Sequence, residues 1–245
     1  MVGPHPRADL RTGTDLFEGG IAGSAGGGGA VGPVCVLRAE ALTHNLAAMA
    51  GWCRDRDVEL APHGKTHMAP QLFARQLDAG ACGITAATLS HVRTYRFGVR
   101  DIVLTNELVD GAGLRWLAAE LDAHPDFSMV CWVDLVNGVE LMTAALSAAG
   151  AERAVDVCVE VGMPGGRRDV SFDQDVPVPL GLADSAVTKL NDQHAYLRLG
   201  AGASVEVGSW LGFGISHPCT VFDKWQLIPE LDADDRVVGL IRTFF

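Results

Sequence analysis

The sequence lacks the basic surface and the long apolar runs that mark nucleic-acid-binding and membrane proteins. It has 19 Lys and Arg residues against 30 Asp and Glu, a net charge of −11. Binding to nucleic acid or to an anionic membrane surface needs a basic footprint, so we expect neither partner. No stretch approaches the roughly 20 apolar residues that span a bilayer. Both absences argue against a nucleic-acid or membrane function.

The six cysteines also show no disulfide framework. They are scattered, without a CxxC pair, and four lie in apolar runs, where a free cysteine behaves as a small hydrophobic residue. We therefore expect a reducing compartment, the cytoplasm, and no disulfides. Residues 1–32 lack a basic-then-apolar signal pattern, and their glycine-rich run predicts a flexible leader.

From residue 33 onward, predicted strands alternate with predicted helices. The strands are 33–37, 58–61, 82–86, 101–105, 127–133 and 155–161, and the helices are 42–52, 68–77, 90–97, 114–121 and 136–149. This alternation predicts βα units and a parallel sheet. No GxGxxG follows the first strand, which favours a βα barrel over a dinucleotide-binding fold. The fold class predicted is α/β.

The pattern changes after Arg167. Short strands are predicted at 171–180, 195–199, 205–207, 210–215, 225–229 and 236–242, and no helical period is convincing there. We therefore divide the chain into the leader, a partial barrel over 33–167 and an all-β domain over 168–245. A closed eight-stranded barrel typically needs about 250 residues, so the barrel is predicted to be incomplete.

Lys65 is the candidate around which the chain is organised. It lies between His63 and His67, where an apolar run ends and a helical pattern begins. Barrel enzymes place their chemistry at the carboxyl ends of strands. Desolvating neighbours favour the neutral, nucleophilic amine that a Schiff-base lysine needs. From these residues alone, a solvated loop lysine is the alternative.

The segment Pro62-His-Gly-Lys-Thr-His-Met-Ala-Pro70 resembles the cofactor-lysine motif of the alanine-racemase-like barrel enzymes. The branch it resembles contains D-serine dehydratases, D-threonine aldolases and bacterial amino acid deaminases. The resemblance covers nearly all of residues 33–245 and continues through 71–80, 83–87, 105–108, 187–194 and 214–225.

The resemblance implies a pyridoxal 5′-phosphate cofactor. Lys65 corresponds to the lysine that binds it as a Schiff base and serves as base at the substrate Cα. His63 and Arg167 correspond to cofactor-binding residues, with Arg167 in the strand-end loop that faces the cofactor. His194 lies in a motif near the metal and substrate and is a catalytic candidate.

His217 and Cys219 match the His-x-Cys metal pair of the D-serine dehydratases, which implies zinc or another divalent metal. On a strand, residues two apart project to one face. Imidazole with thiolate suits zinc, and two protein ligands leave positions open for water and substrate. Without the resemblance, a buried cysteine and a hydrogen-bonded histidine beside Pro218 are the favoured explanation, because two ligands are too few to indicate a zinc site. In the aldolase branch a carboxylate replaces the cysteine.

Two further features have two interpretations each. Asp134 and Glu160 at strand ends are general acid/base candidates or simply polar strand termini. The Gly162–Gly166 turn has backbone N–H groups that suit phosphate, although the resemblance does not support that role. His44 and His91 lie on helical segments and are predicted to be surface residues.

The predicted function is a pyridoxal-phosphate-dependent, metal-assisted lyase or deaminase. It would convert D-β-hydroxy amino acids such as D-serine to a 2-oxo acid and ammonia, in a homodimer. A D-threonine-type aldolase and an amino-acid racemase are alternatives. A catalytically inactive remnant is the third, because an internal block that carries the relatives' phosphate-binding strands is missing after Arg167.

Overall fold

The computed structural model describes residues 35–161, 178–191, 194–206, 209, 211–214 and 219–245. The chain divides into two compact units. The first is Met1–Val161 with Phe222–Phe245, and the second is Gly162–Val221. The candidate lysine lies in the first unit.

Helices and strands alternate along the described chain. In order they are β1 (Leu37–Arg38), α1 (Ala39–Arg54), a 3-10 turn (Gly64–Thr66), α2 (Pro70–Asp78), β2 (Ile84–Ala86), α3 (Leu89–Tyr95), β3 (Asp101–Leu104), α4 (Gly111–Ala123), β4 (Ser128–Val133), α5 (Val136–Ala148), β5 (Asp156–Val159), β6 (Ala186–Asn191), β7 (His194–Arg198), α6 (Cys219–Phe222), β8 (Leu227–Leu231) and β9 (Val237–Arg242). No helix in this set is both long and apolar enough to span a bilayer.

A parallel sheet forms the centre of the first unit. Its strands pair in the order β2-β3-β4-β5. The strand β4 alternates between half-buried and buried residues, and its buried side chains face the helices. The α/β class with a parallel sheet is therefore confirmed.

Short-range capping sets where the helices of this unit begin and end. Thr88 accepts the His91 N–H at the start of α3, and Asp110 accepts the N–H groups of Ala112 and Gly113 at the start of α4. Pro70 occupies the first turn of α2. The chain leaves α2 through Gly80, whose φ of 104° is left-handed.

A second, mixed sheet joins the two ends of this unit. The strand β1 pairs with β8 in parallel, and β8 pairs with β9 in antiparallel fashion. This sheet and α2 share an apolar cluster built from Ala69, Leu72, Ile228 and Ile241. The last two strands of the chain therefore pack against the helix that follows the lysine.

The strand predicted over 58–61 is not a regular strand. The Val58 N–H donates to the Cys53 carbonyl at the end of α1 (3.1 Å), and Pro62 has no N–H to offer a ladder. The segment instead meets β2 through an isolated parallel bridge between His63 and Thr85. The segment therefore lies beside β2 but forms few of the backbone hydrogen bonds of a regular strand pair.

The described part of the second unit contains an antiparallel pair, β6 with β7. The strand β7 was expected, whereas β6 was not among the predicted strands. The short helix α6, which crosses the division between the units, contradicts the expectation of no helix after residue 168. The predicted domain boundary at 167–168 and the Gly162–Gly166 turn lie outside the described residues and stay predictions.

Among the described strands, β5 is an edge. It pairs with β4 alone, and all four of its residues are exposed. Val159 is 75% exposed, although its partner in the register, Val133, is buried. The open edge agrees with an unclosed sheet, while the barrel itself remains a prediction.

Arg75 on α2 and Glu230 on β8 form a two-pronged ion pair, with both N–O distances at 2.6 Å. The Glu230 side chain is only 7% exposed. Arg75 holds the pKa of that carboxyl below its usual range, chiefly through the side-chain hydrogen bonds. The pair therefore ties the helix after the lysine to the mixed sheet.

We expect Arg75→Met to destabilise the protein by about 2 kcal/mol, the scale of hydrogen bonds to a charged group. Because the Glu230 pKa is lowered, this contribution is complete above the ordinary Glu pKa of about 4.3 and is lost as pH falls through the folded-state pKa. Urea unfolding of both proteins at neutral and acid pH measures it. The exposed pair Arg236 and Asp234, 3.7 Å apart, is the control, and Arg236→Met should change little. Equal losses in the two variants would contradict the assignment.

Candidate functional site

Lys65 lies at the carboxyl edge of the parallel sheet. The Thr85 backbone N–H donates to the Pro62 carbonyl (2.8 Å), and the Thr85 Oγ1 donates to the Ala61 carbonyl (2.6 Å). These bonds fix the segment before the lysine against β2. The 3-10 turn Gly64–Thr66 follows directly, so Lys65 is presented by a short, tightly held turn and is half-buried.

Gly64 provides the close packing beneath that turn. A Cβ at this position would lie 2.8 Å from each of three atoms: Ile84 Cγ2, Phe73 Cε1 and Tyr95 Cζ. The backbone there is not left-handed. Glycine is required at this position because only a residue without a Cβ lets the turn lie this close to β2, α2 and α3.

His67 is a buried, neutral histidine. Its Nδ1 accepts the Ala69 N–H (3.2 Å), and its ring lies 5.1 Å from the Phe73 ring between centroids. Burial lowers the pKa of His67 to about 4, and the nearby Gln76 side chain only partly opposes that shift. His67 therefore helps to fix the turn and the start of α2 and carries no charge at neutral pH.

Tyr95 closes the same packing from α3. Its hydroxyl donates to the Met68 Sδ (3.4 Å), and burial raises its pKa well above the usual range. Met68 has a left-handed φ of 46°, and its carbonyl accepts the Phe244 N–H (2.9 Å). The exit of the lysine turn is thus held by α3 on one side and by the chain's last residues on the other.

His91 was predicted to be a surface residue, and the structure shows it half-buried. Its ring stacks on Tyr95 at 5.9 Å with a 12° tilt, and its Nδ1 is inaccessible to solvent. Burial, and then the charge of Lys65, lowers the His91 pKa. A sequence signal existed, because residues four apart on a helix share a face and Tyr95 is a core residue.

Other polar groups line the carboxyl edge of the sheet. The Asn106 side chain donates to the Ala87 carbonyl (3.4 Å), and Thr105 Oγ1 donates to the Ala86 carbonyl (3.2 Å). Asp134 and Glu160 follow β4 and β5 at the same edge. Both carboxylates therefore occur where catalytic groups and strand termini alike are found, and both interpretations stay open.

The predicted site residues are described to different extents. Lys65 lies within the 3-10 turn, and His63 precedes the turn and forms the bridge to Thr85. His194 begins β7, and Cys219 begins α6. Arg167 and His217 lie outside the described residues, so their roles stay predictions.

We expected His217 and Cys219 to project from one face of a strand. Cys219 begins the helix α6, so that expectation is wrong. The described part of the chain contains no group of three or more His, Cys, Asp or Glu side chains that would hold a metal ion. This absence does not bear on the metal pair, since His217 is not among the described residues. The zinc site therefore stays a prediction.

Comparison with known proteins gives a family and several relatives. The family model described as "Putative serine dehydratase domain" matches residues 107–230, just over half of the chain. A D-threonine aldolase from an Arthrobacter species is 37% identical over 155 residues, which are 63% of this chain and 39% of the aldolase. The chain thus spans about two fifths of the length of that curated relative.

Two solved structures are also similar to this chain. The crystal structure of D-threonine aldolase from Filomicrobium marinum is 31% identical, with a TM-score of 0.50, over 56% of this chain and 36% of that one. A D-threo-3-hydroxyaspartate dehydratase variant superposes with a TM-score of 0.52 over 88% of this chain and 95% of that one. At 14% identity, the second likeness bears on the fold alone.

Proposed function

Because the chain belongs to the family of the putative serine dehydratase domain, we propose that it is a pyridoxal-phosphate-dependent lyase of D-β-hydroxy amino acids. The reaction proposed is elimination from D-serine or a related substrate, giving a 2-oxo acid and ammonia. The observation that carries the proposal is the place of Lys65, a half-buried lysine on a tightly held turn at the carboxyl edge of a parallel sheet.

The described residues suit the cofactor at its aldehyde end. The turn is seated where a Cβ on Gly64 would collide with three side chains, so the lysine backbone has little freedom. His91 places an imidazole with a shielded, unbonded Nδ1 beside the lysine. A primary amine held in this way suits attachment of a carbonyl compound.

The proposed chemistry divides simply between cofactor and protein. When bound, pyridoxal phosphate withdraws electrons from the substrate Cα. Lys65 would hold the cofactor, and its freed Nζ would then take the Cα proton. His63, His194 and Arg167 are proposed to orient cofactor and substrate.

His217 and Cys219 are proposed to hold zinc, because imidazole and thiolate are the donors that zinc prefers. The ion would supply Lewis acidity for the departing β-hydroxyl. We further propose a cytoplasmic homodimer as the working assembly.

Aldol cleavage is the second candidate function. The relatives that share 37% and 31% identity with this chain are D-threonine aldolases. Cys219, in place of the carboxylate of that branch, favours elimination instead. An inactive remnant is the outcome that competes with both activities, because the resemblance implies that the relatives' phosphate-binding block is missing after Arg167.

One set of assays separates these activities. The purified chain, given pyridoxal phosphate and zinc, is incubated with D-serine and with D-threonine, and the products are identified. We expect a 2-oxo acid and ammonia as products. Activity should be lost in Lys65→Ala and on addition of a chelator, and it should be retained in the control Lys224→Ala. Glycine with an aldehyde would assign the aldolase, the L-enantiomer alone a racemase, and no product at all the inactive remnant.

A further inference from the structure

His91 is an unusual group to find beside the candidate lysine. It lies in the first turn of α3, and its ring stacks on Tyr95, the residue on which the lysine turn rests at Gly64. The same helix therefore supports the turn with Tyr95 and places an imidazole near Lys65. This arrangement fixes the ring in one position, because stacking on a fully buried tyrosine restricts its rotation.

The Nδ1 of His91 is shielded from solvent, and no group in the described parts of the chain hydrogen-bonds to it. An inaccessible nitrogen without a partner is unfavourable, and native proteins avoid such groups unless they have a use. Burial and the nearby Lys65 charge both lower the His91 pKa, burial more strongly. At neutral pH the ring is therefore neutral and able to accept or donate one hydrogen bond at each nitrogen.

We infer that His91 is a positioning residue of the Lys65 site, whose imidazole senses the charge on the lysine and supplies a hydrogen bond to a group attached there. The first half concerns this chain alone. The second half rests on the proposed function, since it needs pyridoxal phosphate at Lys65.

The first half predicts a coupling between the two residues. The positive charge of Lys65 is one of the causes that lower the His91 pKa, so removal of that charge makes His91 easier to protonate. In Lys65→Met, the His91 titration midpoint is expected to rise. Lys224→Met removes an exposed lysine that pairs with Asp223 and should leave the midpoint unchanged.

Imidazole NMR titration measures this coupling without cofactor. The sequence has eight histidines, and His91→Gln assigns the signal of His91. A rise in Lys65→Met alone supports the inference. An unchanged midpoint, or an equal rise in Lys224→Met, overturns it, because the ring would then not sense the lysine.

The second half predicts how variants of His91 bind pyridoxal phosphate. His91→Phe keeps a ring on Tyr95 but has no nitrogen, whereas His91→Gln keeps a hydrogen-bonding group. We expect His91→Phe to have the same melting temperature as the wild type. It should bind the cofactor roughly three- to tenfold more weakly, which is the scale of one hydrogen bond. His91→Gln should recover part of that loss, and His44→Phe on the exposed side of α1 should cause none.

The two measurements keep the failures distinct. If the wild type binds no pyridoxal phosphate, the proposed function fails, and the titration still decides whether His91 and Lys65 are coupled. If the wild type binds it and His91→Phe binds equally well, the positioning role is overturned while the proposed function stands. If His91→Phe melts lower than the wild type, the titration in Lys65→Met decides instead, and an unchanged His91 midpoint overturns the inference.

Discussion

Replacing Gly64 by alanine is expected to destabilise the first unit by about 3 kcal/mol, the upper range for overpacking a core. The added Cβ would lie 2.8 Å from side-chain atoms of Ile84, Phe73 and Tyr95 at once. These side chains belong to three different elements, so no single rotation relieves all three contacts. The backbone at Gly64 is not left-handed, and the expected loss is therefore steric alone. The lysine turn should also shift away from the sheet and weaken cofactor binding.

Gly138 provides the matched control. It lies in α5, where a Cβ would meet nothing within 4 Å. Gly138→Ala should stabilise the protein by about 0.5–1 kcal/mol, since alanine loses less backbone freedom on entering a helix. Thermal or urea unfolding of both variants makes the comparison. A Gly64→Ala protein as stable as the wild type would refute the close packing described for the turn.

Acidification is expected to remove about 3 kcal/mol of stability through His67 alone, between pH 6.5 and pH 4. Burial lowers the folded-state pKa of His67 to about 4 from 6.5. Each unit of such a shift corresponds to about 1.4 kcal/mol. Because the unfolded chain binds the proton first, stability is complete above the ordinary pKa and falls until the folded-state pKa is passed.

The variant His67→Asn isolates this effect. Asparagine retains an acceptor for the Ala69 N–H but does not titrate. The difference in free energy of unfolding between wild type and variant should therefore change between pH 7 and pH 4, while His44→Asn, at an exposed position, should follow the wild type. Parallel pH profiles for wild type and His67→Asn would show that His67 is not buried in a neutral form.

Much of the parallel sheet could be predicted from the sequence because its signals are local. The strands predicted over 101–105 and 127–133 are observed as β3 and β4. Gly80 follows the helix predicted over 68–77, and its left-handed φ shows why glycine is needed there. These features depend on a few neighbouring residues, which periodicity and turn chemistry describe well.

Contacts between distant parts of the chain could not be predicted in this way. The pairing of β1 with β8 brings Leu37 beside Glu230, and no local pattern encodes that register. The segment 58–61 shows the converse. Its composition favours a strand, but Pro62 has no N–H and the Val58 N–H donates to the end of α1, so few groups remain to pair with β2. The helix α6 is too short to give a period.

Lys65 was predicted from the sequence as a site residue, whereas the neighbouring His91 was not. The placement of Lys65 followed from the end of an apolar run, and the resemblance supplied its cofactor. His91 was missed because the mixture of polar and apolar residues over 90–97 does not indicate which face of the helix is buried. The spacing to Tyr95 was the available signal. The proposed zinc pair has no such test, since His217 is not described.

Mapping the lysine that takes up pyridoxal phosphate tests the central claim most directly. The chain has only three lysines, Lys65, Lys189 and Lys224, so the two others serve as internal controls. After incubation with the cofactor, borohydride fixation and proteolysis, mass spectrometry locates the pyridoxyl group. The account predicts the group on Lys65, together with a visible absorption band that disappears in Lys65→Ala. A group on Lys189 or Lys224 in preference to Lys65, or no fixation at all, would contradict it.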